Sequence, residues 1–196
     1  MKPAKPLVEY FKPNPTNDQD FWNTDLNCYH ISGFAILPDI FALNPEKILD
    51  LGCGYNEFKK YFPHLIGIDL ANDHADIKGD FLDYECEDES IDVLLALGSI
   101  NFGSHDLVDK QIAWMTRKLK KGGTMFIRVN PAEAPDESIQ EKFYIWTVED
   151  IYNFSIKYNL KIKDNTLKLE DRIPSEYIRG GPGFANCKLY WQYVKQ

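Results

Sequence analysis

The stretch Ile-Leu-Asp-Leu-Gly-Cys-Gly at residues 48–54 decides the fold of this chain. Its first four residues are typical of a buried β-strand, and Gly52 and Gly54 allow backbone conformations that a Cβ forbids. A second short apolar run, residues 65–68, is followed directly by Asp69. A strand that opens into a glycine-rich turn, followed by a strand with a terminal carboxylate, is typical of a nucleoside site, because the carboxylate accepts hydrogen bonds from ribose hydroxyls. We therefore expect an adenosine-type cofactor at this turn.

Position 57 distinguishes between two cofactors of that type. A dinucleotide-binding turn has the pattern Gly-x-Gly-x-x-Gly, and the place of its third glycine is taken here by Glu57. A carboxylate at this place would repel a pyrophosphate, but it is compatible with the ammonium and sulfonium groups of S-adenosylmethionine. S-adenosylmethionine therefore fits the turn better than NAD.

The chain at this point resembles the class I S-adenosylmethionine-dependent methyltransferases, in particular their small type 11 group. The first motif of that family runs Asp-x-Gly-x-Gly-x-Gly, and its places are held here by Asp50, Gly52, Gly54 and Asn56. Asn56 is the departure from the motif. Asparagine is the non-glycine residue that best tolerates a left-handed backbone, so we expect the loop to keep its shape and Asn56→Gly to be neutral or stabilising.

The resemblance implies a row of cofactor contacts along the carboxyl ends of the strands. It assigns Asp69 to the ribose, Asp80 with Phe81 to the adenine, and Leu97 to the methionine moiety, while Asp50 is expected to orient the glycine loop. In the alternative interpretation, Asp80 is an ordinary turn residue and Phe81 is a core residue. The full set of expected cofactor-binding residues is Asp50, Gly52, Cys53, Gly54, Asn56, Asp69, Leu70, Asp80, Phe81 and Leu97.

The rest of the chain alternates between strand and helix patterns. This alternation predicts an α/β fold, a doubly wound and mostly parallel seven-stranded sheet with helices on both faces, to which the resemblance adds a C-terminal antiparallel hairpin strand. Strands are predicted at about 47–51, 65–69, 76–79, 91–97, 124–129, 160–169 and 186–194, and helices at about 56–62, 105–121 and 148–158. Ser104 and a Thr147–Asp150 capping box are the predicted helix starts, and Gly122 is the predicted stop of the second helix.

Length and composition favour a single domain over residues 1–196. A chain of 196 residues with 44% hydrophobic content can bury a substantial core, and no stretch resembles an inter-domain linker. We expect an extended proline-rich arm over 1–19, a helical segment over 20–45 above the cofactor mouth, and a Rossmann-like core over 46–194.

Charge and cysteine usage exclude several classes of protein. The formal net charge of −8 disfavours nucleic acid as a partner, and residues 99–102 lack the Asn/Asp-Pro-Pro-Tyr/Phe motif of nucleic-acid amino-methyltransferases. The four cysteines show no paired spacing, so neither a metal site nor a disulfide framework is predicted. Because there is no apolar run of about 18 residues and no signal-peptide core, we expect a cytoplasmic protein without a membrane span.

Catalytic and acceptor residues are less well specified. His105 follows the fourth predicted strand at the start of a helix, and imidazole is suited to act as a general base near neutral pH. An exposed residue beside a helix cap is the other interpretation of His105. Arg128 ends the fifth strand, and Arg172 and Arg179 lie in a glycine-rich loop that is expected to overhang the same face. In one interpretation these arginines bind an anionic acceptor. In the other, the loop is a hairpin tip and its charges are solvated.

The sequence therefore predicts an S-adenosylmethionine-dependent methyltransferase with a small-molecule acceptor. A non-catalytic S-adenosylmethionine-binding or partner-interaction protein is one alternative. An NAD-dependent oxidoreductase is the other, and it is disfavoured by Glu57.

Overall fold

Eight β-strands form one sheet within residues 6–10, 33–129, 142–170 and 188–196, which the computed structural model describes. The strands are β1 (Ile48–Leu51), β2 (Ile66–Asp69), β3 (Ile77–Lys78), β4 (Ile91–Leu97), β5 (Leu119–Val129), β6 (Leu160–Ile162), β7 (Lys168–Glu170) and β8 (Lys188–Lys195). The α-helices of the same residues are α1 (Leu7–Tyr10), α2 (Leu37–Leu43), α3 (His105–Lys118) and α4 (Val148–Lys157). Short 3-10 turns lie at Phe34–Ile36, Glu57–Lys60 and Phe81–Asp83.

The sheet has the strand order β3-β2-β1-β4-β5-β8-β6, and β7 also pairs with β8. Strands β1 to β5 are parallel, and β8 lies antiparallel to β5. The predicted α/β fold with a C-terminal antiparallel hairpin is therefore confirmed. The sixth predicted strand, 160–169, is divided into β6 and β7, which pair with opposite ends of β8, so the sheet has eight strands instead of seven.

Side chains of the central strands alternate between two hydrophobic clusters, one on each face of the sheet. On one face Leu49 and Leu94 pack with residues of α3 and α4. On the other face Ile48 and Val93 pack with α2 and the Phe34–Ile36 turn. Helices therefore cover both faces, as predicted.

The helix starts lie where the sequence predicts them. Ser104 Oγ accepts a hydrogen bond from the Leu107 backbone N–H at the start of α3. Thr147 and Asp150 form a reciprocal capping box at the start of α4. Side-chain oxygens thus satisfy backbone donors that the first turn of each helix leaves unpaired.

The end of α3 differs from the prediction. The helix stops at Lys118 instead of residue 121, because Leu119 already pairs with Ile91 in the sheet. The predicted stop, Gly122, has a φ of +76° and lies in the irregular first part of β5. Sheet pairing therefore ends this helix before the glycine is reached.

The crossovers between β1, β2 and β3 contain no α-helix. The helix predicted over 56–62 is a single 3-10 turn, Glu57–Lys60, and the chain passes from β2 to β3 through residues 70–76 without a helix. Parallel strands are usually joined by a dozen or more residues, commonly including a helix. The loops after β1 and β2 must therefore be held by other interactions.

The structure describes only part of the N-terminal segment, so only some of the expectations for it can be compared with the fold. The helix Leu7–Tyr10 lies within the arm that was expected to be extended. Residues 11–32 lie outside the described residues, and they include the first half of the 20–45 segment expected above the cofactor mouth. Its described part packs against the sheet, because Ile40 is fully buried and Asp39 Oδ2 accepts a hydrogen bond from Gln192 Nε2 of β8 at 2.9 Å.

Among the described residues, no helix is long and apolar enough to cross a membrane. The same residues contain no cluster of His, Cys, Asp and Glu side chains that could hold a metal ion.

Candidate cofactor site

The candidate site lies where the strand order reverses, between β1 and its neighbour β4. From β1 the chain continues to β2 and β3 on one side, and it then crosses to β4 on the other side. In open α/β sheets this reversal leaves a crevice at the carboxyl ends of the strands, and ligands bind there. The loops that begin at Gly52, Leu70 and Gly98 all follow these ends.

The loop after β1 requires unusual backbone conformations. Gly52 and Gly54 have φ values of +72° and +54°, and Asn56 is left-handed at φ +57° and ψ +36°. The left-handed Asn56 predicted from the sequence is therefore confirmed. A Cβ on Gly52 would lie only 2.6 Å from Ser99 Cβ, so a larger residue does not fit at this position.

Asp69 joins this loop to the loop after β2. Its Oδ2 accepts a hydrogen bond from the Gly54 N–H at 2.9 Å, and its Oδ1 accepts from the Ala71 and Asn72 N–H groups, each at 2.9 Å. The side chain is buried. Because an ionised carboxylate has about four lone-pair sites, one acceptor site is left for a ligand. Asp69 can therefore accept from one ribose hydroxyl while its other sites hold the protein loops.

Asn56 forms a second connection between the same two loops. Its Nδ2 donates to Asp76 Oδ2 at 3.0 Å and to the His74 carbonyl at 3.3 Å, and Asp76 Oδ2 also accepts from the Gly67 N–H at 2.9 Å. A Cβ on Gly67 would clash with Asn56 Oδ1 and would lie 2.8 Å from Cys53 Sγ. We call the Asn56–Asp76 pair the latch. It holds the glycine loop where this chain has no crossover helix.

Two ionisable groups lie beneath the loop. Burial, and then the nearby charge of Asp69, raises the pKa of Asp50 from 3.8 to about 7. Burial, and then the charges of Asp50 and Asp69, raises the pKa of the Cys53 thiol, which therefore stays protonated. The thiol faces Gly67 within the protein, so a cofactor contact by Cys53 would use its backbone.

The other expected cofactor residues lie at the same edge with different exposures. Leu70 and Leu97 are half-buried at the ends of β2 and β4. Asp80 is exposed, and its Oδ1 accepts from the Leu82 N–H to cap the 3-10 turn. The Phe81 ring packs edge-on against Trp114 at 5.4 Å in the core, so its contact with adenine stays a prediction.

The expected catalytic and acceptor residues are only partly described. His105 is exposed at the first position of α3, and its ring stacks on Phe154 at 5.5 Å. Arg128 is half-buried in β5, beside Leu97 of β4 in the sheet register. Arg172 and Arg179 lie outside the described residues.

Three polar residues of the site were missed from the sequence. Asp76 completes the latch, but it belongs to no motif. Ser99 Oγ and Asn72 Nδ2 are buried, and neither has a hydrogen-bond partner among the described residues. The glycine-rich turn gives no signal for any of these three, because the sheet brings them to it from other parts of the chain.

Solved structures of S-adenosylmethionine-dependent methyltransferases share this fold. One from Thermotoga maritima has 19% sequence identity and a TM-score of 0.59, and the match covers 90% of this chain and 96% of that one. One from Archaeoglobus fulgidus has 15% identity and a TM-score of 0.59, covering 82% and 92%. The Burkholderia thailandensis 1,6-didemethyltoxoflavin-N1-methyltransferase, solved with 1,6-didemethyltoxoflavin and S-adenosylhomocysteine bound, has 15% identity and a TM-score of 0.57, covering 90% and 87%.

These likenesses establish the fold. The chain has the Rossmann-like fold of class I S-adenosylmethionine-dependent methyltransferases. No protein-family model and no curated protein matches its sequence. Membership of the small type 11 group stays a prediction from the first motif.

The raised pKa of Asp50 predicts a specific pH dependence of stability. The folded protein binds this proton more tightly than the unfolded chain, so the contribution of Asp50 to the free energy of unfolding falls as pH rises from 3.8 to about 7. Asp50→Asn removes the titration. Urea unfolding at several pH values measures the effect. Across this window the free energy of unfolding of the variant should rise relative to that of the parent protein by about 1.4 kcal/mol for each pH unit. Parallel profiles for the two proteins would contradict the raised pKa.

The latch changes the outcome expected for Asn56→Gly. Glycine keeps the left-handed backbone but loses two hydrogen bonds, so we now expect a loss of about 1–3 kcal/mol in the free energy of unfolding. Asn56→Val should lose more, because a β-branched residue disfavours a positive φ. Asn165, which is exposed and has a φ of +61°, provides the matched control. Asn165→Gly should be neutral or stabilising, and equal effects at both positions would exclude the latch.

Proposed function

We propose that the protein is an S-adenosylmethionine-dependent methyltransferase that acts on a small molecule. The observation that carries the proposal is the Asp69 carboxylate, which ties the glycine loop after β1 to the loop after β2 at the reversal of strand order. Ligands of open α/β sheets bind in that crevice. The methyltransferases that share this fold support the same conclusion.

The residues around the crevice fit S-adenosylmethionine. The exposed backbone of Gly52 would face the amino-acid end, and the remaining lone pair of Asp69 would accept from a ribose hydroxyl. Leu70 and Asp80, at the ends of β2 and β3, would flank the adenine. The sulfonium and ammonium charges of the cofactor would offset the buried carboxylates of Asp50 and Asp69.

A dinucleotide fits the same crevice poorly. Its pyrophosphate needs the backbone N–H groups and the dipole of a helix N-terminus, but the first element after β1 is the single 3-10 turn Glu57–Lys60. Glu57 adds a carboxylate there, and this carboxylate forms an ion pair with Lys60. The NAD-dependent oxidoreductase is therefore the weaker candidate.

His105 is the proposed general base. S-adenosylmethionine supplies an activated methyl group, so the protein has to align the acceptor and, for a nitrogen or oxygen nucleophile, take up its proton. His105 is exposed at the carboxyl edge, and its stacking on Phe154 at 5.5 Å orients the ring without covering it.

The acceptor in this proposal is a small molecule. A net charge of −8 disfavours the nucleic-acid backbone. Phe102 and Phe143 pair with ring centroids 4.7 Å apart. Phe102 is buried, so the half-buried Phe143 and Tyr144 would provide the apolar surface for a planar acceptor. The Burkholderia thailandensis enzyme, with 1,6-didemethyltoxoflavin bound, is a precedent for a small-molecule ligand on this fold.

An anionic group on the acceptor is a further part of the proposal. Arg128 supports it, since this residue lies half-buried near the end of β5, beside the crevice. Arg172 and Arg179, which lie outside the described residues, would add donors. We also propose a cytoplasmic location, on the sequence features alone.

A non-catalytic S-adenosylmethionine-binding protein is the second candidate. The observation that favours it is the aromatic packing of His105, which contacts Tyr144 as well as Phe154 and therefore has a structural role of its own. Release of labelled methyl groups from the cofactor in the presence of pooled small metabolites distinguishes the two candidates, because only an enzyme consumes the cofactor.

We expect S-adenosylhomocysteine to stabilise the protein and NADH to leave it unchanged. A ligand of the folded state at about 100 times its dissociation constant adds about 2.7 kcal/mol to the free energy of unfolding. Gly52→Ala should abolish this gain, because the new Cβ would clash with Ser99 at the mouth of the crevice. Thermal unfolding with and without each ligand measures the effect.

Gly122→Ala is the matched control for Gly52→Ala. Its φ of +76° is close to the +72° of Gly52, so both variants carry the same backbone strain, but a Cβ at position 122 meets no atom within 4 Å. The control should keep the full response to S-adenosylhomocysteine. If the parent protein does not respond, or if Gly52→Ala responds as the control does, the proposed site is wrong.

A further inference from the structure

Ser99 lies beside the glycine loop at the mouth of the crevice. It follows β4 directly after Gly98, and β4 is the neighbour of β1 at the reversal of strand order. Its Cβ occupies the space above Gly52, 2.6 Å from where a Cβ on that glycine would be, and its Oγ is 3.5 Å from the same point. The side chain therefore stands against the exposed backbone of the first glycine in the loop.

The backbone on both sides of Ser99 is fixed. Asn101 Nδ2 donates to the Gly98 carbonyl at 2.8 Å, and the buried Trp146 donates through Nε1 to the Ile100 carbonyl at 2.8 Å. The Tyr144 N–H donates to the Asn101 carbonyl at 2.7 Å. These bonds hold the segment in place, so the main freedom left to Ser99 is rotation of its hydroxyl about χ1.

The hydroxyl of Ser99 lacks the partner that a buried polar group requires. Its Oγ is buried and makes no hydrogen bond to the described part of the chain. A hydroxyl can donate one hydrogen bond and accept two, and leaving all of them unmade in the interior costs free energy. Because this hydroxyl lies beside the crevice, a polar group of a bound ligand could supply the missing hydrogen-bond partner.

The order of the strands indicates which part of the ligand Ser99 would meet. On one side of β1, Asp69 ends β2 and Asp80 follows β3, and both fit the adenosine half. Ser99 follows β4 on the opposite side. An extended cofactor that spans the crevice therefore directs its amino-acid end toward Ser99.

We propose that Ser99 is a cofactor-binding residue whose hydroxyl forms a hydrogen bond with the amino-acid end of S-adenosylmethionine. This inference rests on the proposed function. The carboxylate of that end accepts from the hydroxyl, and the ammonium donates to it, so either group satisfies Ser99 Oγ. Selectivity for the amino-acid end then comes partly from a residue outside the glycine-rich motif.

The test compares two ligands on Ser99→Ala, a change that removes the hydroxyl and keeps the Cβ. S-adenosylhomocysteine has the amino-acid end, and 5′-methylthioadenosine has the same nucleoside and a thioether without it. Isothermal titration calorimetry should give about tenfold weaker binding of S-adenosylhomocysteine and unchanged binding of 5′-methylthioadenosine. The melting temperature of Ser99→Ala without ligand should not fall, because the hydroxyl has no partner to lose.

Ser155→Ala is the matched control. Ser155 Oγ donates to the Leu160 carbonyl at 2.6 Å, at the packed side of α4, so its removal should lower the melting temperature and leave both affinities unchanged. Equal affinities of Ser99→Ala and the parent protein for S-adenosylhomocysteine would overturn the inference, and so would equal losses for both ligands. A parent protein that binds neither ligand would overturn the proposed function together with the inference.

Discussion

The carboxylate of Asp69 accepts hydrogen bonds from backbone N–H groups on two different loops, and the rest of the site depends on this interaction. Gly54 belongs to the loop after β1, whereas Ala71 and Asn72 belong to the loop after β2. Hydrogen bonds to an ionised acceptor are roughly twice as strong as neutral ones, and a buried carboxylate without them would be costly. The two loops therefore form a single unit around one negative charge, at the edge where a cofactor would lie.

Two crossovers without an α-helix explain why this chain needs such an interaction. Where related folds commonly use helices, the chain has the turn Glu57–Lys60 and the seven residues 70–76, so helix packing cannot hold the loops. The latch between Asn56 and Asp76 adds the second connection. The cost is a pair of buried carboxylates close together: burial, and then the charge of Asp69, raises the pKa of Asp50 to about 7. A ligand with positive groups reduces that cost, which links the architecture to the kind of cofactor proposed.

Local chemistry made much of the structure predictable from the sequence. The left-handed Asn56 follows from its place in a glycine-rich turn, and the capping box of α4 follows from the spacing of Thr147 and Asp150. The latch could not be predicted, because it needs Asp76, twenty residues away in the chain and brought close by sheet pairing. The early end of α3 was missed for the same reason, since the strand pairing of Leu119 overrides the glycine signal.

A crystal structure of the protein with S-adenosylhomocysteine would show whether Asp69 binds the cofactor as well as the two loops. We expect the ligand to lie across the carboxyl ends of β1 to β4, with one ribose hydroxyl within hydrogen-bond distance of Asp69 and the amino-acid end beside Gly52. The Gly54 N–H should remain bonded to Asp69, because the same carboxylate holds both loops and ligand. Ligand density elsewhere, or a ribose that makes no contact with Asp69, would contradict the account.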